Sequence, residues 1–146
     1  MKMNAEELQA YLAKVFPHAF GPGRPTRVEA VGKHTATVRF SAGERHLRPG
    51  GTVAGPALMA LADSAAYVAI LSALGPVSLA VTTNLSINFL RKAEPGDLLA
   101  ECTLIKLGKR LAVCEVGIRP AAGGELVAHA VATYSIPPQQ DLDDGI

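Results

Sequence analysis

Cysteine is scarce, charge of either sign is balanced and no segment is strongly basic, and each of these absences removes a class of function. Cys102 and Cys114 are too few for a disulfide framework and cannot complete a four-ligand zinc site without histidines at suitable spacing. His18, His34, His46 and His129 have no such spacing, so they read as structural, and neither a metal nor a cofactor is expected. Fourteen basic against thirteen acidic residues leave a net charge of +1, with no basic block to engage the phosphates of a nucleic acid. The N-terminal residues mix acidic, apolar and polar positions without a basic start and an apolar run. Nothing there resembles a secretory signal, and the cytoplasm is the expected compartment. No internal repeat is visible.

What is present is apolar. A chain of 146 residues buries roughly two thirds of the surface its unfolded form exposes, enough for one core over 1–146. Apolar residues at 49% against charged residues at 18% supply that interior and leave apolar surface for a partner subunit, so a homo-oligomer is expected.

Asn4 followed by Glu7 has capping-box spacing, and Leu8, Tyr11, Leu12 and Val15 recur at helical period, which predicts a helix over 5–15 that Pro17 stops. Residues 19–25, with Gly21, Pro22 and Gly23 in a row, read as a loop closing an N-terminal segment of 1–25. Two short strands follow near 26–31 and 34–41. Pro56 then begins nineteen residues whose only polar members are Asp63, Ser64, Tyr67 and Ser72. This is a buried helix, with Gly55 suited to its cap, Pro56 to its first position, and Gly75 with Pro76 to its end. It is long enough to cross a bilayer, but the central Asp63 and the strand-rich remainder favour burial in protein, and no membrane partner is expected.

A long strand is predicted from near residue 78, in which Val81, Thr83, Leu85, Ile87 and Phe89 alternate with Thr82, Asn84, Ser86 and Asn88. Pro95, Gly96 and Asp97 turn the chain into a strand over 98–106, and Leu107, Gly108 and Lys109 reverse it into 111–119. Gly123 and Gly124 lead to a last strand over 125–136, and residues 137–146 read as an acidic, frayed tail. Cys102 and Cys114 flank the reversal at Gly108 symmetrically and are assigned to packing. A sheet of about five or six antiparallel strands has an apolar face to cover, and a helix apolar all round needs covering on every side. The simplest solution is an α+β domain in which the sheet curls around the helix. Ala128, Ala130 and Ala132 share one face of the last strand and would let the helix approach closely.

Packing does not explain Asp63. It lies two turns past the helix start, beyond the reach of the dipole, among Leu61, Ala62, Ala65 and Ala66. Either it faces a solvent channel or hydrogen-bonds neighbouring backbone, or it is a general base or nucleophile. Gly55 also has two readings: a glycine chosen for its cap conformation, or the donor of an N–H that stabilises a negative oxygen. Pro56 has no N–H, so an oxyanion hole here draws on Gly55 itself. Eight residues of helix put Gly55 and Asp63 roughly 12 Å apart. Both can touch one reacting carbonyl only within roughly 3 Å. If both act on one substrate, Asp63 must come from a second copy, which predicts a dimer with its sites across the interface.

The run Pro49-Gly50-Gly51-Thr52-Val53-Ala54-Gly55-Pro56-Ala57-Leu58-Met59-Ala60-Leu61-Ala62-Asp63, with Asn84-Leu85-Ser86-Ile87-Asn88-Phe89-Leu90-Arg91 and Pro95-Gly96-Asp97 after it, resembles the hotdog-fold acyl-CoA thioesterases of the phenylacetate-degradation (PaaI) type. The resemblance covers residues 26 to 136. It implies a helix wrapped by an antiparallel sheet, a homodimer or dimer of dimers, coenzyme A thioester substrates and no metal. Carried over by position, it implies that Asp63 is the catalytic carboxylate, that Gly55 is the oxyanion glycine, and that Thr82, on the polar face of the long strand, helps orient water. The family's usual His-Gly-Gly at the helix entrance is Ala54-Gly55-Pro56 here, and its upstream Asn or Gln position is Arg48.

Arg91, Lys92, Lys106, Lys109 and Arg110 gather at strand ends, either as solvated hairpin charges or as ligands of the nucleotide phosphates of coenzyme A. Arg48 stands where it can pair with Asp63 or with a substrate carboxylate, and Ala54, Thr83 and Asn84 are further expected substrate contacts. Two functions are compatible with these residues. One is hydrolysis of an acyl- or aroyl-CoA thioester, with Asp63 as base or nucleophile. The other is an acyl-CoA-binding hotdog protein that has lost turnover, Ala54 standing where the family has its histidine. A hotdog dehydratase is a weaker alternative, since no histidine sits at the helix entrance.

Overall fold

The computed structural model describes residues 2–77 and 80–138 of the chain. Residues 78 and 79 of the predicted third strand and residues 139–146 of the predicted tail lie outside the described residues.

Helix α1 (Ala5–Val15) starts on the predicted capping box, with Glu7 N donating to Asn4 Oδ1 at 2.8 Å and Asn4 N to Glu7 Oε1 at 3.0 Å. It buries Leu8 and Leu12 completely. Pro17 ends α1 but also opens the short helix α2 (Pro17–Phe20), because its fixed φ suits a first helical position. The predicted loop is shorter by residues 19 and 20 for that reason. Gln9 fastens α1 in place: its Nε2 donates to Phe20 O and its Oε1 accepts from Val28 N.

Strands β1 (Thr26–Gly32) and β2 (Thr35–Ser41) form a hairpin. Next comes α3 (Gly55–Leu74), capped by Ala54, so that Gly55 is the first helical residue and Pro56 the second, one position earlier than predicted. Strands β3 (Val81–Phe89), β4 (Asp97–Leu107), β5 (Leu111–Pro120) and β6 (Ala128–Ser135) complete a six-stranded antiparallel sheet in the order β1-β2-β4-β5-β6-β3. The last strand begins three residues later than predicted, because residues 121–127 carry the connection from β5.

The sheet wraps α3, which packs chiefly on β2, β4 and β5 and buries Leu61, Ala62, Ala65, Ala66, Val68, Ile70 and Leu71. This is the predicted hotdog arrangement, and the helix long and apolar enough for a membrane is its core helix. Ala128, Ala130 and Ala132 are fully buried on the inner face of β6. Cys102 and Cys114 are buried free thiols on the same face of the sheet. A hydrogen bond to Cys114, together with burial, holds the Cys102 thiol above its ordinary range.

One irregularity matters for function. Among the described residues β3 pairs with β6 alone, and its other edge is open. Leu85, Ile87 and Phe89 lie opposite Ala132, Ala130 and Ala128, so they face inward. Simple alternation would turn Thr83 inward as well. A bulge interrupts it: Asn84 pairs with Thr133 and Thr82 with Tyr134, so Thr82 takes the inner face.

Candidate functional site

Asp63 is half-buried on α3, in a cleft of about 510 Å³ lined by Ser64 and Tyr67 of the same helix, Val15 and Phe16 of the α1–α2 junction, Thr82 of β3 and Tyr134 of β6. Its helix neighbours Leu61, Ala62, Ala65 and Ala66 turn into the core, and the groups bonded to the carboxylate are the hydroxyls of Thr82 and Tyr134. Thr82 Oγ1 donates to Asp63 Oδ1 at 2.6 Å, and Tyr134 Oη donates to the same oxygen at 2.6 Å. Tyr134 Oη also reaches the Asp63 carbonyl at 3.1 Å. Asp63 Oδ2 receives no hydrogen bond from the described residues, yet no buried side-chain polar atom among them lacks a partner, so Oδ2 is open to the cleft. Burial, reinforced by the Asp63 carboxylate, pushes the Tyr134 phenol well above its ordinary value, and burial raises that of Tyr67 to about 12. Both remain hydrogen-bond donors at any working pH. Their rings stack at 6.4 Å.

Gly55 lies in a second cleft of about 440 Å³, with Arg48, Ala54, Phe89, Arg91 and Lys92 in its lining. As the first helical residue its N–H has no partner within the helix, and no acceptor takes it among the described residues. Two steric facts favour glycine here. A Cβ would meet the Phe89 ring at 3.3 Å, and residue 55 is helical directly before Pro56, where a Cβ crowds the proline ring.

Arg48, Ala54, Arg91 and Lys92 therefore join Gly55, while Thr82 joins Asp63, and no residue lines both clefts. The expected Arg48–Asp63 pair is absent, since each side chain lines a different cleft and no ion pair involves Asp63 among the described residues. Thr82 is not on the polar face, because the bulge re-aims it inward. That bulge also removes Thr83 and Asn84 from both clefts: Thr83 Oγ1 donates to Thr133 O at 3.2 Å, and Asn84 shares the outer face with Thr133.

The basic residues do not form one group. Arg91 Nη1 binds Glu125 Oε2 and Leu126 O, both at 3.1 Å, whereas Lys109 and Arg110 line a separate cleft with Leu74, at the opposite end of α3 from Gly55. His46 is structural as expected, its Nδ1 accepting from Gly43 N and its ring lying edge-on to Phe40. Among the described residues no three His, Cys, Asp or Glu side chains gather to hold a metal. Tyr134 is the site residue that sequence reasoning missed. The one available signal was its position in β6, where every other residue of the same face, Ala128, Ala130 and Ala132, is an alanine.

The Thioesterase superfamily family model matches residues 50–131, the stretch that holds both Gly55 and Asp63. No curated protein matches the chain. Among solved structures, a thioesterase candidate from Silicibacter sp. is 43% identical over 93% of each chain, with a TM-score of 0.82. The phenylacetic acid degradation protein PaaI of Thermus thermophilus, in a mutant form, is 28% identical over 77% of this chain and 94% of its own, with a TM-score of 0.68. Zebra fish thioesterase superfamily member 2 shares the fold at 22% identity, covering 93% of this chain and 100% of its own, with a TM-score of 0.79. With a helix wrapped by six strands, a carboxylate open to a cleft and a family match over more than half its length, the chain belongs to the thioesterase superfamily of hotdog-fold proteins.

Proposed function

We propose that the protein hydrolyses an acyl- or aroyl-CoA thioester to the free acid and coenzyme A in the cytoplasm, as a homodimer or dimer of dimers. The observation that carries this reading is the asymmetry of the Asp63 carboxylate, one oxygen saturated by two hydroxyls and the other open to an apolar cleft with no cation among the described residues to neutralise it. Such an oxygen can take a proton from water, which then attacks the thioester carbonyl, or can attack that carbonyl itself. In the first route the tetrahedral oxyanion is held by the Gly55 N–H, and its collapse expels the coenzyme A thiolate, which recovers the proton from Asp63. The Thr82 hydroxyl spends its hydrogen on Asp63, so its oxygen remains an acceptor for the attacking water. Arg48, Arg91 and Lys92 supply positive charge beside Gly55 for the phosphates of coenzyme A.

Gly55 and Asp63 occupy different clefts of one chain, so the mechanism draws them from two copies. A second copy fits at the open edge of β3, where Val81 and Phe89 are 56% and 52% exposed. Asp63→Asn is expected to abolish thiol release from acyl-CoA while leaving secondary structure and oligomeric state intact. Turnover by that variant at the wild-type rate excludes the mechanism. Ala54 in the Gly55 cleft offers no side-chain donor, which favours the alternative of a binding protein without turnover. Calorimetric binding of a thioester that stays intact, across a panel of acyl and aryl compounds, identifies that case.

A further inference from the structure

Hydrolysis by Asp63 and Gly55 leaves Tyr134 of the Asp63 cleft without a role. Tyr134 is 3% exposed, and its hydroxyl touches Asp63 twice, at Oδ1 and at the residue's own carbonyl. A donor that spans the side chain and the backbone of one residue restrains both side-chain torsions of that residue. An aspartate on a helix face otherwise samples several rotamers. We propose that Tyr134 is a positioning residue, which locks the Asp63 side chain so that Oδ2, and not Oδ1, meets the reacting thioester. This rests on the reading of Asp63 as base or nucleophile.

Three observations support the assignment. The bulge at Thr83 places Thr82 opposite Tyr134, so that both hydroxyls converge on the same oxygen from neighbouring strands. With Oδ1 accepting two short bonds, the accessible lone pairs of the carboxylate are those of Oδ2. Tyr134 also stays protonated, since burial disfavours its phenolate, and so it acts as a fixed donor rather than a proton relay. Among the described residues the titratable groups around Asp63 are Tyr67 on α3, Tyr134 on β6 and Cys114 on β5, with Val15 and Phe16 contributed from the α1–α2 junction. Apart from Thr82, no described side chain is bonded to the carboxylate to take over from Tyr134.

The test is the kcat and KM of acyl-CoA hydrolysis by Tyr134→Phe, measured beside Asp63→Asn and the wild type. Tyr134→Phe is expected to lower kcat by about 10- to 100-fold, as misplacement of a reacting group does, with KM within about 2-fold of wild type. Thr82→Val should lower kcat in the same way, and Thr82→Ser should restore it. If Tyr134→Phe keeps the wild-type kcat while Asp63→Asn is dead, the positioning role is wrong and the base survives. If Asp63→Asn is active, both fall. Should Tyr134→Phe not fold, Tyr134→Met, which fills the space without a donor, carries the same measurement.

Discussion

At the scale of single residues, the polar groups of this chain are held by specific partners, and the partner decides the role. Asp97, part of the Pro-Gly-Asp turn that the resemblance rests on, is engaged with Arg39 of β2, whose guanidinium binds Asp97 Oδ2 at 3.0 Å and Glu29 Oε2 at 2.7 Å. The hydrogen bonds from Arg39 hold the Asp97 and Glu29 carboxyls below their ordinary values of 3.8 and 4.5. Folded values below unfolded ones mean that this stabilisation is present above the ordinary values and is lost as pH falls through the folded ones. Arg39→Met is therefore expected to lower Tm at pH 7, with the deficit against wild type closing as the pH is taken below 3.8. Thermal melts of both proteins across that range check it, and a deficit independent of pH would show that packing of the arginine stem matters instead. The same dependence on partners explains what could be read in advance. Asp63 stood out because an acidic residue in an apolar helix is anomalous on composition alone. Of its partners, Thr82 was singled out only through the resemblance and Tyr134 not at all, because the two hydroxyls come from strands whose register with each other is a tertiary fact.

At the scale of elements, what local chemistry specifies was legible and what pairing specifies was not. The α1 capping box, the Pro56 start and Gly75 end of α3, and the reversal at Gly108 are all set by residues a few positions apart, and each stands where the sequence puts it, within one residue. The inner face of β3 was misjudged at Thr82 because the bulge arises from pairing with β6, and alternation within β3 cannot reveal it. The role of α1 was hidden for the same kind of reason. Its last residue, Val15, and the adjoining Phe16 are 45% and 39% exposed, and both wall the Asp63 cleft, although they lie outside the stretch 50–131 that matches the family. Under the proposed hydrolysis these two side chains contact the acyl group. Phe16→Ala should raise KM for bulky apolar or aryl acyl groups several-fold and leave acetyl-CoA turnover unchanged. Equal effects on both substrates would mean that the junction serves folding alone.

At the scale of the whole molecule, the two candidate groups belong to one rigid helix, and no motion within α3 can bring residue 55 to residue 63. Twofold pairing of copies solves this if it lays the start of one α3 beside the middle of the other, and a closed twofold assembly then contains two equivalent mixed sites. The open edge of β3 and the exposed apolar side chains near it are consistent with such pairing. The consequence can be read without a structure of the complex. Take one variant, Asp63→Asn, and a second, Gly55→Val, whose side chain meets the Phe89 ring and fills the space before the N–H. Each alone should be inactive. After the two are unfolded together and refolded in equal amounts, half of the dimers are mixed, and each mixed dimer has one site with an intact Asp63 from one copy facing an intact Gly55 from the other. About a quarter of the wild-type activity should then return. If Asp63 and Gly55 acted within one chain, no mixed dimer would contain an intact site, and mixing would restore nothing.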